Sequence, residues 1–130
     1  MGKDFDLWNA RKKDLNESTF AQYVHEREVW WCALGANVGV EADGKHDNFE
    51  RPVLVLRKFN KDSVLVVPLT SHAKPNPYQW PFHHEGRLFA AVFSQMRLVS
   101  TKRLLRKMYR MDARIFDDIK HVILVLFRDA

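Results

Sequence analysis

The chain has 130 residues, of which 46% are hydrophobic, and its 21 Lys and Arg against 16 Asp and Glu give a formal net charge of +5. This length is typical of one globular domain, and no apolar run reaches the length of a membrane span, so we expect no membrane partner. The amino terminus lacks the apolar core of a signal peptide, and the single cysteine excludes an internal disulfide. We therefore expect a cytoplasmic protein.

The first part of the chain is predicted to be a helix that lies outside the main fold. Residues 4 to about 20 are weakly amphipathic, with Trp8 and Leu15 on one face. We therefore divide the chain into an N-terminal helical extension, 1–26, and a second domain, 27–130.

The next segment combines a strand with a long connection. Glu28–Leu34 is rich in aromatic and apolar residues and predicts the first strand, in which Cys32 is a core thiol rather than a nucleophile. Residues 35–48 contain three glycines and scattered polar side chains, and loops of this length are often functional. This loop either folds over a ligand or is a solvated hairpin tip.

The segment Arg51–Ser71 predicts a β-hairpin. Its apolar runs, Val53–Leu56 and Val64–Leu69, do not alternate cleanly, so both faces of these strands should be covered. Turn residues at 60–62 separate the two runs. The outer ends of an antiparallel hairpin lie side by side, so Arg51 should meet Thr70 and Ser71 at one rim, a set of groups suited to a phosphate.

The second irregular stretch is predicted at His72–Gly86, which holds or borders four of the five prolines. Its aromatic residues either stack on nucleic-acid bases or form a packed flap or an oligomer contact. The adjacent His83 and His84 would point to opposite faces of a strand, and no metal-ligand spacing is present, so we predict no metal site.

The last third predicts further strands and a helix. Arg87–Val99 is a strand region, and residues 102–111 form another short strand or a helical turn. Asp112 should cap a final helix with an apolar stripe formed by Ile115, Phe116, Ile119, Val122, Ile123, Leu126 and Phe127. The chain is therefore predicted to be mainly β, a small barrel with flanking helices.

Positive charge is concentrated late in the chain. Between Arg97 and Arg114 there are seven Lys and Arg residues and one acid, Asp112, so this segment alone carries +6. Such a run favours a polyanionic partner, nucleic acid first, although a solvated basic face without a partner has the same composition.

The region from Arg27 to Gln95 resembles the MazF/PemK (Kid-like) toxin family of type II toxin–antitoxin systems. The order of features carries the resemblance: a strand, a glycine loop with a glutamate, Arg-Pro before an aliphatic strand, and Pro-Leu-Thr-Ser at the end of the next. In this sequence these are Glu28–Trp31, Leu34–Glu41, Gly44, Arg51–Leu56, Pro68–Ser71 and Ser94–Gln95.

The resemblance implies an SH3-like β-barrel of the CcdB/MazF type with a carboxy-terminal amphipathic helix. It also implies a cytoplasmic homodimer that cleaves single-stranded RNA without a metal or other cofactor, through attack of the 2′-hydroxyl on its own phosphodiester. A cognate antitoxin protein is the expected partner. Matching the motifs puts the catalytic residues at Arg51 and Thr70, and the substrate groove at Asn37, Glu41, Ser71 and Gln95, to which we add Lys45 of the glycine loop.

Three departures from the family pattern bear on mechanism and on RNA sequence choice, and one of them is the stretch His72–Gly86. An arginine and an aspartate precede the glutamine in some members, but Val92 and Ser94 stand at those positions here. The general base therefore stays open between Glu41, His46 and His72. The segment 45–50 is also longer than in short members, which bears on RNA sequence choice.

Two other functions are weighed against the ribonuclease. A gyrase-binding toxin of the CcdB type would share the barrel, but that class relies on a terminal Trp-Gly-Ile, and this chain ends Leu-Phe-Arg-Asp-Ala. A non-catalytic member that binds only RNA or an antitoxin is the other alternative, suggested by the missing arginine–aspartate pair.

Overall fold

The computed structural model describes residues 23–34 and 50–128, which form a mainly β fold with one carboxy-terminal helix. The predicted N-terminal helix and the whole glycine loop, residues 35–48, lie outside the described residues. In the described part of the chain, no helix is long and apolar enough to cross a membrane. The strands are β1 (Glu28–Ala33), β2 (Glu50–Asn60), β3 (Ser63–Thr70), β4 (Gln79–His84), β5 (Arg87–Val92), β6 (Arg97–Ser100) and β7 (Leu104–Arg110), followed by helix α1 (Ala113–Arg128).

Strand pairing closes the sheet into a barrel. The antiparallel neighbours run in the order β6-β3-β2-β1-β7, and a short 3₁₀ turn, Thr101–Arg103, joins β6 to β7. In a flat sheet those two strands would lie about 19 Å apart, at roughly 4.8 Å per strand. The chain from Ser100 to Leu104 spans at most about 14 Å. The sheet must therefore curl until its two ends approach each other, as the predicted barrel requires.

Both faces of the central strands are buried, as the sequence predicts. Val53 and Val55 of β2 point into the barrel interior with Trp30, Val64 and other residues of one apolar cluster. Leu54 and Leu56 point to the opposite face, into a second cluster with residues of β4, β5 and α1. The hairpin β4–β5 and the helix thus cover the outer face of the barrel, and Cys32 is fully buried, as expected of a core thiol.

The predicted turn and helix cap are both confirmed. Asn60 Oδ1 accepts hydrogen bonds from the backbone N–H groups of Asp62 (2.8 Å) and Ser63 (3.0 Å), which closes the β2–β3 turn. Asp112 Oδ2 accepts from the N–H groups of Arg114 (3.1 Å) and Ile115 (3.3 Å) at the start of α1. Short polar side chains therefore stabilise both the β2–β3 turn and the start of α1 through local hydrogen bonds.

Three predictions in the second half need correction. The stretch 72–86 is not irregular throughout, since Gln79–His84 forms β4, an edge strand that tolerates Pro81 because one side of it needs no N–H donor. The region 87–99 is two strands, separated by a 3₁₀ turn at Phe93–Gln95. Phe127 is 66% exposed and lies outside the buried stripe of the helix.

One carboxylate lies inside the fold near the start of β1. Glu28 Oε1 accepts hydrogen bonds from His25 N–H (2.9 Å) and Trp30 Nε1 (3.0 Å), and Oε2 lies 3.5 Å from Lys107 Nζ. Burial raises the pKa of this carboxyl group, but these hydrogen bonds and the charges of Lys107 and His25 outweigh burial and hold the pKa below its usual value. Glu28 therefore remains ionised in the core and ties β1 to β7.

Candidate nucleic-acid site at the interruption of strand β3

The site is created by a change of partner along one edge of β3. Residues Ser63–Val66 of β3 pair with β6, whereas Leu69 and Thr70 pair with β5. Between these two ladders the edge at Val67 and Pro68 has no strand partner among the described residues, and the 3₁₀ turn Phe93–Gln95 lies there. Proline has no N–H to donate, so it suits a position at which the ladder is interrupted. The interruption leaves room for a cavity.

This cavity has a volume of about 260 Å³. Arg51 of β2 and Pro68 of β3 form one side, and the connection from β5 to β6 forms the other. The residues that line it are Leu34, Arg51, Pro68, Ser94, Gln95, Met96 and Arg97. Two of the residues predicted from the sequence, Arg51 and Gln95, thus lie at one cavity although 44 positions separate them in the chain.

Thr70 lies beside the cavity and is not among the residues that line it. Val53 of β2 is paired with Pro68 of β3, and the same register continued by two residues sets Thr70 opposite Arg51. Pro68 and Thr70 are two positions apart in one strand and therefore share a face. Thr70 Oγ1 accepts a hydrogen bond from His72 N–H (3.0 Å), which leaves the hydroxyl hydrogen for another acceptor.

The other predicted site residues divide into two groups. Ser71 is exposed at the end of β3, and its Oγ lies 3.4 Å from His72 Nδ1. Asn37, Glu41 and Lys45 lie outside the described residues, so their predicted substrate contacts stay predictions.

The electrostatic character of the cavity is set by two guanidinium groups. Arg51 and Arg97 both line it, and none of the lining residues in the described part of the chain is a carboxylate. Arginine presents a planar fork of N–H donors that matches two oxygens of a phosphate. The arrangement is therefore suited to an anionic ligand with several acceptor oxygens.

Cys32 does not supply a nucleophile to this region, although it is paired with Arg51 in the β1–β2 register. Burial raises the pKa of its thiol to about 11, even though the charges of Arg103 and Arg97 act in the opposite direction. The thiol is therefore protonated at neutral pH, in agreement with the predicted role as a core residue.

Part of the basic run has a structural role. Arg106 Nη2 lies 3.1 Å from Glu50 Oε1, and its guanidinium stacks 5.5 Å from the centre of a Trp31 ring. Lys107 pairs with Glu28, and Arg103 Nη1 donates to the Ala33 carbonyl oxygen (3.0 Å). Several residues of the basic run therefore form contacts between strands, whereas Arg97 lines the cavity.

Sequence reasoning did not assign Arg97, Ser94 and Met96 to the site. All three follow from the 3₁₀ turn, since the turn places residues 94–97 against Pro68. The available signal was the short sequence distance between Arg97 and Gln95, the last residue of the turn, because residues so close in the chain readily line one cavity.

A comparison with family models gives one match. The model described as PemK-like, MazF-like toxin of type II toxin–antitoxin system matches residues 25–127, which covers more than three quarters of the chain and every described strand. No individual curated protein matches the sequence. The match agrees with the barrel, with the order of motifs along β1–β3 and with the carboxy-terminal helix. The chain therefore belongs to the PemK-like, MazF-like toxin family of type II toxin–antitoxin systems.

Proposed function

We propose that the protein is an endoribonuclease toxin that cleaves single-stranded RNA without a metal ion. The observation that carries the proposal is the cavity at the β3 interruption, where Arg51 and Arg97 face one space and Thr70 follows on the same face of β3. Family membership supports the toxin role and a partner antitoxin.

In the proposed reaction, the cavity holds the scissile phosphate. The 2′ oxygen forms a bond to phosphorus, the bond from phosphorus to the 5′ oxygen breaks, and the products are a 2′,3′-cyclic phosphate and a 5′-hydroxyl. Negative charge builds on the non-bridging oxygens in the transition state, so donors aimed at those oxygens accelerate the reaction. Arg51 supplies a two-pronged donor for them, and Thr70 supplies its hydroxyl hydrogen.

Substrate contacts are proposed for the rest of the predicted set. Gln95 lines the cavity beside the phosphate position, and its amide can read a base edge. Ser71 is exposed next to Thr70, within reach of an adjacent nucleotide. Asn37, Glu41 and Lys45 are proposed to complete the groove from the glycine loop.

The proposal extends to assembly and control. As in a type II system, a cognate antitoxin protein would inhibit the toxin by occupying the RNA groove, and the toxin would act in the cytoplasm as a homodimer. Exposed apolar side chains on the helix, Leu124 and Phe127, support an assembly that covers them. Sedimentation equilibrium of the purified chain measures the subunit number.

The direct test incubates purified protein with a mixed RNA in the presence of EDTA and sequences the new 5′ ends. Cleavage at a common short sequence, with 5′-hydroxyl ends, is the expected result. Arg51→Ala and Thr70→Ala should each abolish cleavage while the circular dichroism spectrum is unchanged. Arg57→Ala is the matched control, because Arg57 lies on the same strand, exposed and remote from the cavity.

Two outcomes would contradict the proposal. Undiminished cleavage by both Arg51→Ala and Thr70→Ala would show that these two residues are not catalytic. RNA binding without cleavage by the unaltered protein would favour the non-catalytic alternative, which the replacement of the arginine–aspartate pair by Val92 and Ser94 leaves open.

A further inference from the structure

The loop after β3 presents a histidine next to two hydroxyl-bearing residues, Thr70 and Ser71. The backbone N–H of His72 donates to Thr70 Oγ1 (3.0 Å), and its ring Nδ1 lies 3.4 Å from Ser71 Oγ. The side chain is exposed, and its described contacts are these two residues. Lys74 lies on the same loop, and Arg51 is near the start of the strand that pairs with β3. The ring nitrogen with a described contact is therefore Nδ1, and Nε2 has none among the described residues.

The proposed reaction needs a group that removes the proton of the 2′-hydroxyl. Arginine and threonine are poor acceptors near neutral pH, and the lining residues in the described part of the chain include no carboxylate. Glu50, next to Arg51 in β2, is directed to Arg106. Imidazole is the side chain that exchanges a proton most readily between about pH 5 and 8. His72, which is bonded to Thr70 through its backbone, is thus a proton acceptor that the described structure offers next to the site.

We propose that His72 is a further catalytic residue, the general base of the cleavage reaction, an inference that rests on the proposed function. When Ser71 Oγ accepts from Nδ1–H, the lone pair of Nε2 is available to the substrate. The 2′-hydroxyl proton passes to Nε2 as the bond from the 2′ oxygen to phosphorus forms. The 5′ oxygen leaves with the electron pair of its bond to phosphorus and takes a proton from water.

The hydrogen bond to Thr70 allows the imidazole of His72 to be removed without loss of that bond. It is donated by the backbone of residue 72, so His72→Gln keeps Thr70 oriented and removes only the imidazole. His83→Gln is the matched control, since His83 is an exposed histidine on β4 without a described role in the site. Single-turnover cleavage of an RNA with one mapped site is measured from pH 5 to 9 for the unaltered protein and both variants.

We expect His72→Gln to lower the cleavage rate by about 10²- to 10⁴-fold, the usual contribution of a general base. The rate of the unaltered protein should rise with pH on the acidic side, where neutral imidazole replaces imidazolium. His72→Gln should lose this dependence, and His83→Gln should retain it. Free imidazole added to His72→Gly should restore part of the rate, which a merely structural role would not allow.

An RNA with sulfur in place of the bridging 5′ oxygen distinguishes the base from an acid. Sulfur leaves without a proton, so this substrate would rescue His72→Gln if His72 protonated the leaving group, and that result would overturn the proposal. Equal rates for His72→Gln and the unaltered protein, with Arg51→Ala inactive, would overturn it while the ribonuclease function stands. No cleavage by the unaltered protein on any RNA would overturn both.

Discussion

Glu28→Ala should destabilise the fold, because it removes the one acceptor that several groups share. The side chain is 4% exposed and meets donors from His25, Trp30 and Lys107. Trp30 is itself buried, so its indole N–H would be left without a partner and without water. The other two donors, His25 N–H and Lys107 Nζ, are only partly buried and can form hydrogen bonds to water once the carboxylate is removed.

The expected loss follows from those exposures. A buried donor left unsatisfied costs about 1–3 kcal/mol, and the truncated γ-methylene group adds about 1 kcal/mol of lost burial. We therefore expect Glu28→Ala to lower the free energy of unfolding by about 3 kcal/mol. Glu28→Gln keeps an oxygen for the indole and loses only the charge, so its cost should be about 1 kcal/mol.

The pH dependence provides a second measurement on the same residue. The pKa of Glu28 is lowered in the folded protein, so folding favours the ionised form. The resulting stability is present above the unfolded-state pKa, near 4.3, and is lost as pH falls through the lower folded-state pKa. The difference in stability between the unaltered protein and Glu28→Gln should be constant from pH 6 to 8 and shrink below about pH 4.

Urea unfolding followed by circular dichroism at pH 7 measures the stability change. The matched control is Asp118→Asn, which removes the same charge from an exposed position on α1 and should cost less than about 0.5 kcal/mol. If Glu28→Ala costs no more than this control, the account of a carboxylate that ties β1 to β7 is wrong.

Arg51→Lys keeps the positive charge but loses the planar fork, so we expect the cleavage rate to fall about 10²- to 10³-fold with unchanged folding; a rate within threefold would contradict bidentate phosphate binding. Cys32, whose thiol is buried with its pKa raised to about 11, should resist iodoacetamide at pH 8 in the native protein and react fully in urea, and rapid native labelling detected by mass spectrometry would contradict that burial. Asp112→Ala should lower the free energy of unfolding by about 1 kcal/mol through loss of the helix cap, and urea titration showing no change would mean that the two N–H groups find other partners.

The elements with local signals were predictable from the sequence. The hairpin at 51–71 combines two short aliphatic runs with an Asn-containing turn, and α1 combines a capping Asp112 with a helical apolar stripe. In each case neighbouring residues supply both the propensity and the stop signal, so the prediction needs no knowledge of distant partners.

The errors arose where tertiary contacts decide the local structure. Residues 79–84 read as a loop because of Pro81 and two histidines, yet pairing with β5 makes them a strand whose free edge accommodates the proline. Phe127 fits the helical period, but it is 66% exposed, whereas the adjacent Leu126 packs against the core. Helical periodicity predicts which face of the helix a residue occupies, but it does not predict whether another part of the protein covers that residue.

The candidate site was predictable in part for the same reason. Arg51 is near the start of β2 and Thr70 ends β3, so the hairpin register, continued two residues past the Val53–Pro68 pair, sets Thr70 opposite Arg51, as the sequence leads one to expect. Arg97 and Ser94 reach the cavity because β3 changes partner at Pro68, and that change depends on where β5 and β6 stop. The sequence of residues 63–70 does not predict where the neighbouring strands β5 and β6 end.

The three-residue link that closes the barrel also has a consequence during synthesis of the chain. The wall formed by residues 94–97 is added long after Arg51 has been made, and β7 must then reach β1, some 75 positions upstream, before the ring is complete. A growing polypeptide that has not yet delivered these last strands has its arginine but no enclosed cleft around it. The cavity, and with it the proposed site, is therefore complete only after synthesis has passed these residues.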